Sequence, residues 1–489
     1  MAKNDLDIIF TQRHPILSEK DSGTDSIWKL IYNSYIGGKT YADAGYLIKY
    51  PKESNSNFTQ RKKRSVYFNQ VSPVVDMLSG MLFLNEPKRN IPKELDFLTN
   101  ETSPRKKMNE FMRLYSAYTL MFTSGVLIDM PNFDREIVKT KKDAVSNKIY
   151  PYAVLYLPFR IRDFYIGEDG ELDWVLLDNS YYDHKNPLEE GKEIKTYRLW
   201  TRNTYRDFIQ EEDIVTDKGE ITHGLGIVPF RMDSWRDDNN DFIAETIFED
   251  IAMITKLIYN SMSYMDEMLA SGTFKMLSYP TKTGELPPEI TEGGLGPLSA
   301  LPYDMTSSNR PEFIGATLTD IDSFVKAMEF YMTEILKKVG LSTDETKEFV
   351  KSGVAKKIDF QKMRALLVSG AQAMGRAEEW MYKTAALWLN KPTDKIECKY
   401  TSDYSSEELY SEVQMLLELM VHPVGILRQQ VLQVLVKKLL SNNLPPETIE
   451  QINKAIVSEI KSVDPVKQVN ATEAANTIKS KQSKSEAEE

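Results

Sequence analysis

Apolar residues recur along this chain in two rhythms, one of three and four residues and one of two. The longer rhythm is clearest at Leu318, Ile321, Val325, Met328, Met332, Ile335 and Val339, which share one face of a helix. Phe324 and Tyr331 widen that face, and Gly340 follows where a left-handed helix end favours glycine. Ile243, Ile247, Ile251, Ile254, Ile258, Met262 and Met265 form a second stripe. It predicts a helix from Asp241 to about Ala270, with Asp241 as its cap and Glu245, Glu249 and Asp250 at its positive end. A third periodic run enters through Ser352-Gly353-Val354-Ala355 and continues past Trp380 and Trp388 to Leu389. Between the first two helices lies a segment rich in Gly and Pro, with short strands expected at 274–277 and 312–314. Leu341 to Ser352 breaks the periodicity as a polar loop.

The first 240 residues mix both rhythms. Tyr67–Leu84 reads as a helix with Val71, Val74, Val75, Leu78, Met81 and Leu82 inward, and Glu110–Thr123 as another. Gly125–Pro131 is a buried strand stopped by proline. Strands with period two are expected at 153–157, 160–166, 172–177, 196–201 and 204–209, with Asp169-Gly170 as a hairpin turn. Residues 51–64 read as a polar loop. Together these make residues 1–240 an α+β domain. A strand is expected at Ile396–Tyr400 and a helical region from Ser405 to about Lys461, and 461–489 is too poor in large apolar residues to fold on its own.

Composition narrows the chemistry. The 489 residues carry a net charge of −11, whereas proteins that grip DNA by sequence usually show a basic surface. The basic runs 61–64, 105–107 and 139–142 read as solvated loops. No stretch is long and apolar enough to span a membrane, and no secretory leader is apparent. The one cysteine, Cys398, cannot form an internal disulfide. Gly37-Gly38-Lys39-Thr40 lacks the earlier glycine of a phosphate-binding loop, since Asn33 stands there. Gly293-Gly294-Leu295-Gly296-Pro297 cannot open the helix a dinucleotide site needs. His14, His184, His223 and His422 have no metal-ligand spacing. The expectation is a protein without catalytic residues, metal or cofactor, working as a mechanical part.

The order of these parts resembles the portal protein of tailed bacteriophages over roughly residues 25–460. Local patterns share the resemblance: Tyr67-Phe68-Asn69 with Gly80-Met81-Leu82-Phe83, then Gly226-Ile227-Val228-Pro229-Phe230, and Asn260-Ser261-Met262-Ser263. Further along, Ser352-Gly353-Val354-Ala355 and Pro423-Val424-Gly425-Ile426-Leu427-Arg428 through Leu444-Pro445-Pro446 are similar too. The resemblance implies the portal fold: an α/β wing at 1–240, stem helices at 241–270 and 317–340, a small α/β clip at 271–316 and a tunnel loop at 341–352. A tunnel helix with return to the wing at 353–404, a helical crown at 405–460 and a polar tail at 461–489 complete it.

It also implies a homo-oligomeric ring, usually of twelve, at one capsid vertex of the virion, assembled in the host cytoplasm. Double-stranded DNA passes along its axis without sequence recognition. The implied partners are the terminase large subunit, head-completion and tail adaptor proteins, and the major capsid and scaffolding proteins. Ile247, Ile251, Ile254, Ile258, Ile321, Val325, Met328, Met332 and Ile335 would pack the stem, and Ser342, Thr343, Asp344, Glu345, Thr346, Lys347 and Lys351 would line the channel. That loop carries Asp344, Glu345 and Glu348 against Lys347 and Lys351, a net of −1 that binds phosphate weakly. Lys337 and Lys338 either face the channel or complement the negative end of their helix. A helical oligomeric scaffold or adaptor without a DNA channel is the alternative.

Overall fold

The computed structural model describes residues 8–21, 26–131, 149–188, 190–211, 214–236, 243–273, 276–281, 300–304, 312–314, 318–340 and 353–401. Backbone contacts divide the chain into units at Met1–Ser402 and Asp403–Glu489. The expected helical crown, the polar tail, His422 and the tunnel loop fall outside the described residues. The described part is a mixed α+β fold.

The chain opens with helices α1 (Pro15–Lys20), α2 (Ile27–Ile36), α3 (Gly38–Asp43), α4 (Asn55–Arg64) and α5 (Val71–Met81). Ser26 caps α2 by accepting the Lys29 N–H at 3.2 Å, and Trp28, Leu30 and Ile31 are its buried side. Helix α5 starts four residues later than the pattern suggested. The Asn69 side chain accepts the N–H groups of both Val71 and Ser72, which fixes the start there.

Helix α4 corrects the expectation of a polar loop at 51–64. It has no apolar stripe to announce it. Ser54 caps it, and its inward group is Arg61, which is only 1% exposed. The run 61–64 is therefore the last turn of a docked helix, not a solvated loop. The run 105–107 is an exposed turn in which Arg105 takes a positive φ of 67°, and 139–142 lies outside the described residues.

After β1 (Lys88–Asn90), α6 (Asp96–Asn100) and α7 (Met108–Met121) come the sheets. β2 (Ser124–Asp129) is buried along its whole length. It lies between β3 (Tyr152–Tyr156) and β10 (Phe230–Asp233), antiparallel to both. Gly125 is required here, because a Cβ would stand 2.2 Å from the Phe230 ring. The second sheet runs β4 (Ile161–Ile166), β5 (Leu172–Asp178), β7 (Lys192–Thr201), β8 (Thr204–Glu211) and β9 (Ile214–Thr222), with β6 (Tyr181–Asp183) pairing onto β7. The pattern missed β9 because an edge strand without a buried face keeps no apolar alternation.

Two long helices follow. Helix α8 spans Phe248–Thr273, and α9 spans Leu318–Lys338. Between them lies a small sheet in the order β12 (Ala300–Asp304), β11 (Met276–Thr281), β13 (Glu312–Ile314). The strand at 300–304 was not expected, since Pro302 sits inside it; β12 is an edge strand, where proline is tolerated. Last comes α10, one uninterrupted helix from Gly353 to Trp388, about 54 Å long at 1.5 Å per residue. β14 (Glu397–Lys399) then pairs antiparallel with β1, joining the chain's early and late segments.

Candidate functional site

The candidate site is the pair α8 and α9, since they carry the residues expected to pack a stem. Helix α8 begins at Phe248 rather than at Asp241, which corrects the expected start; Asp241 itself lies outside the described residues. The physical reason is Thr246. Its hydroxyl donates to the Leu120 carbonyl at the end of α7 and accepts the Phe248 N–H, each at 3.2 Å. Thr123 accepts the Ala244 N–H at 2.9 Å. The segment before the helix is thus spent on tying it to α7, and Ile247 sits in a turn, half-buried.

Within α8, Ile251 and Ile258 are buried and Ile254 is half-buried. Within α9, Met328 and Ile335 are buried and Met332 is half-buried, and Val339 just past its end is buried. Val325 is 39% exposed in the single chain. It lies about 60° around the helix from Met328, at the edge of the same face. The Ile321 side chain lies outside the described residues.

The two helices pack against each other and run antiparallel. Lys338 near the end of α9 reaches Asp250 near the start of α8 at 2.5 Å, and Lys337 pairs with Glu334 at 2.7 Å. Both lysines are thus engaged at the carboxyl end of α9, where cations complement the helix dipole. These exposed pairs are individually weak, and only Lys338–Asp250 crosses between the helices and marks their register. Residues 342–347 and 351 lie outside the described residues.

The firmest attachment of α8 was not visible in the sequence. Asn260 accepts the Ile48 N–H at 2.8 Å and donates to the Tyr46 carbonyl at 3.1 Å. One turn on, Ser263 accepts from Arg61 Nη1 at 3.1 Å. Arg61 also holds both Glu53 carboxylate oxygens, at 2.9 and 2.8 Å, and the Ile48 carbonyl at 2.7 Å. Its guanidinium lies 4.2 Å from the centre of the Tyr50 ring. The hydrogen bonds from Arg61 hold the Glu53 carboxyl below its usual range. Tyr41, stacked on Tyr67 at 3.7 Å and edge-on to Tyr259 of α8 at 5.2 Å, completes the joint. The clue available beforehand was Tyr50 and Phe58 beside a basic run, which suits a guanidinium packed among rings.

Among the described residues no cluster of His, Cys, Asp and Glu could hold a metal ion, and no helix is long and apolar enough to cross a membrane. Burial pushes the Cys398 thiol up, so it is not poised as a nucleophile. A cleft of about 340 Å³ lined by Pro104, Pro131, Tyr150, Pro151 and Tyr152 takes no residue from the paired helices.

No family model and no curated protein matches the chain. Solved structures of gene transfer agent particles are similar to it. A chain in the virion of the native particle shares 12% identity, covers 71% of this chain and 84% of its own, and has a TM-score of 0.39. One in the neck of the empty particle, computed with C6 symmetry, shares 11% over 78% and 93%, with a TM-score of 0.39. One in the neck of the native particle, computed with C12 symmetry, shares 12% over 79% and 94%, with a TM-score of 0.38. TM-scores of this size leave the chain's own geometry as the ground for assigning a role.

Proposed function

We propose that the chain is the subunit of a portal-like ring in a phage or phage-like virion, acting as a conduit for double-stranded DNA and without chemistry of its own. The observation that supports this most is the antiparallel pair α8 and α9, joined through a small three-stranded sheet and followed, after fourteen residues, by the long helix α10. Such a pair can stand beside its own copies around an axis, and contacts of that kind close by rotation. In this reading the sheet at 276–314 meets the terminase large subunit and then the head-completion and tail adaptors. The body meets capsid and scaffolding proteins, and residues 341–352 border the DNA.

Net charge fits the task. An acidic chain, with a loop of net −1 at the channel, leaves phosphates loosely held so that DNA slides. Negative-stain microscopy of the purified protein tests the reading, with rings pierced by a channel wide enough for duplex DNA as the expected result. Monomers at micromolar concentration would rule it out. Deleting Asp344–Lys347 should leave the rings intact while genome packaging or retention fails.

A further inference from the structure

A pair of helices that pack on each other has no need for large apolar side chains on its outer faces. This pair has them. Met253 and Leu257 on α8 are 55% and 45% exposed, and Phe330 on α9 is 59% exposed. At about 100° per residue, Phe330 stands roughly 200° around α9 from the buried Met328. Met253 stands roughly 200° around α8 from the buried Ile251. Neither α9 nor the helices α2, α4 and α5, which also pack on α8, covers Met253 or Leu257.

Their heights along the pair match. Lys338 beside Asp250 fixes the register of the two antiparallel helices to within about one turn. Both rise about 1.5 Å per residue, so each step back from Lys338 on α9 matches a step forward from Asp250 on α8. Phe330, eight residues back, is level with Ile258 and so beside the height of Leu257. Charge follows the same alignment. Lys337, 50% exposed and paired with Glu334 of its own helix, stands one residue from the height of Asp250, 64% exposed and paired with Lys338.

The geometry points to a second copy of this chain as the occupant of both faces: Phe330 of one copy seats against Met253 and Leu257 of the next, with Lys337 facing Asp250. Two different surfaces meet, so the contact is heterologous. Equal heights mean that neighbours are related by rotation without a climb along the helices, and such a contact closes into a ring rather than a filament. This rests on the ring reading above and adds to it the contact that makes the ring.

Cysteine pairs test it in the full chain, whose own Cys398 is buried. Leu257→Cys combined with Phe330→Cys should give, on oxidation of the assembled protein, a ladder of covalent multiples on a non-reducing gel. Each single variant should remain at one chain length. Leu257→Cys with Lys337→Cys moves the second thiol about 10 Å along the helix, beyond the ~4.4–6.8 Å Cα span of a disulfide, and should give no ladder. Intact rings with no ladder from the first pair, or with equal ladders from both, would overturn the contact and leave the ring standing. Covalent dimers from Phe330→Cys alone would make the contact isologous, and a faster-migrating single chain would place the two thiols within one copy; either result overturns it. A wild-type protein that sediments as a monomer would remove the ring and the contact together.

Discussion

The second half of α10 and the whole of α9 are both amphipathic stretches of about twenty residues, yet they are finished in different ways. From Ala371 to Ala386, α10 buries Ala371, Ala373, Met374, Ala377, Met381, Tyr382, Ala385 and Ala386. Small residues let neighbours close in, and Gly370 is so near the Trp235 ring that a Cβ would stand 2.6 Å from it. Helix α9 packs on α8 and leaves Val325 and Phe330 in solvent. One helix is completed by its own chain. The other keeps an apolar face that its own chain does not cover. A helix enclosed on several sides should respond to mutation as a core does, and a half-enclosed one as an interface does.

The sharpest way to break the enclosed side is at Glu378, which is fully buried. It takes both Arg89 Nε and Nη2, and accepts the Tyr400 hydroxyl at 2.5 Å. The side chain of Arg89 is itself only 10% exposed. A buried ion pair adds little over a well-packed apolar pair, but removing one partner strands the other charge. Glu378→Ala should therefore cost about 3–5 kcal/mol, read as a drop in the denaturant midpoint. A loss below about 1 kcal/mol would mean that Arg89 finds water, and that α10 is less enclosed than its burial indicates.

The same contrast explains what the sequence could disclose. Helices α8, α9 and α10 announce themselves because apolar stripes repeat over many turns. The strands β2 to β5, β7 and β8 do so through runs of Val, Leu, Ile and aromatics. What stayed hidden is held by polar groups. Helix α4 is anchored by Arg61, a residue type that reads as surface, and Glu378 sits in Arg376-Ala377-Glu378-Glu379, which reads as solvated. Burial of a charge depends on a partner far along the chain, 289 residues away for Arg89 and Glu378, and local periodicity holds no trace of it. The start of α8 departs from the isoleucine spacing for a like reason, since a hydroxyl of Thr246 bound to α7 outweighs a stripe that continues upstream.

A smaller effect probes the far end of α10 through pH. His223 lies between Trp200 and Trp388, with ring centres at 5.4 and 5.8 Å. Burial holds its imidazole below the ordinary 6.5, against the opposing pull of the Thr201 and Thr204 carbonyls. Its Nδ1 accepts the Leu225 N–H at 3.3 Å while Nε2 meets the Thr201 carbonyl at 3.1 Å, an arrangement that suits the neutral ring. The unfolded chain therefore binds this proton more readily than the folded one. The stability is present above about pH 6.5 and falls as pH drops through that value. Melting temperatures recorded from pH 8 to 5 should show the decline, and His223→Gln should flatten that part of it. An unchanged slope in the variant would assign the decline to other groups.

The least effect on the subunit is expected at Phe330, and its smallness is the point of the comparison. At 59% exposure the ring contributes little to its own chain, so Phe330→Ser should shift the unfolding free energy of the isolated subunit by no more than about 0.5 kcal/mol. Assembly should respond quite differently, because each closed ring repeats the contact at every interface and a loss at one is a loss at all. Sedimentation velocity should then show the large species replaced by single subunits whose circular dichroism is unchanged. If Phe330→Ser instead unfolds the subunit, α9 is completed by its own chain after all, and the distinction between the two helices disappears. If the assembly survives intact, the outer face of α9 is ordinary surface and the ring must close through other residues.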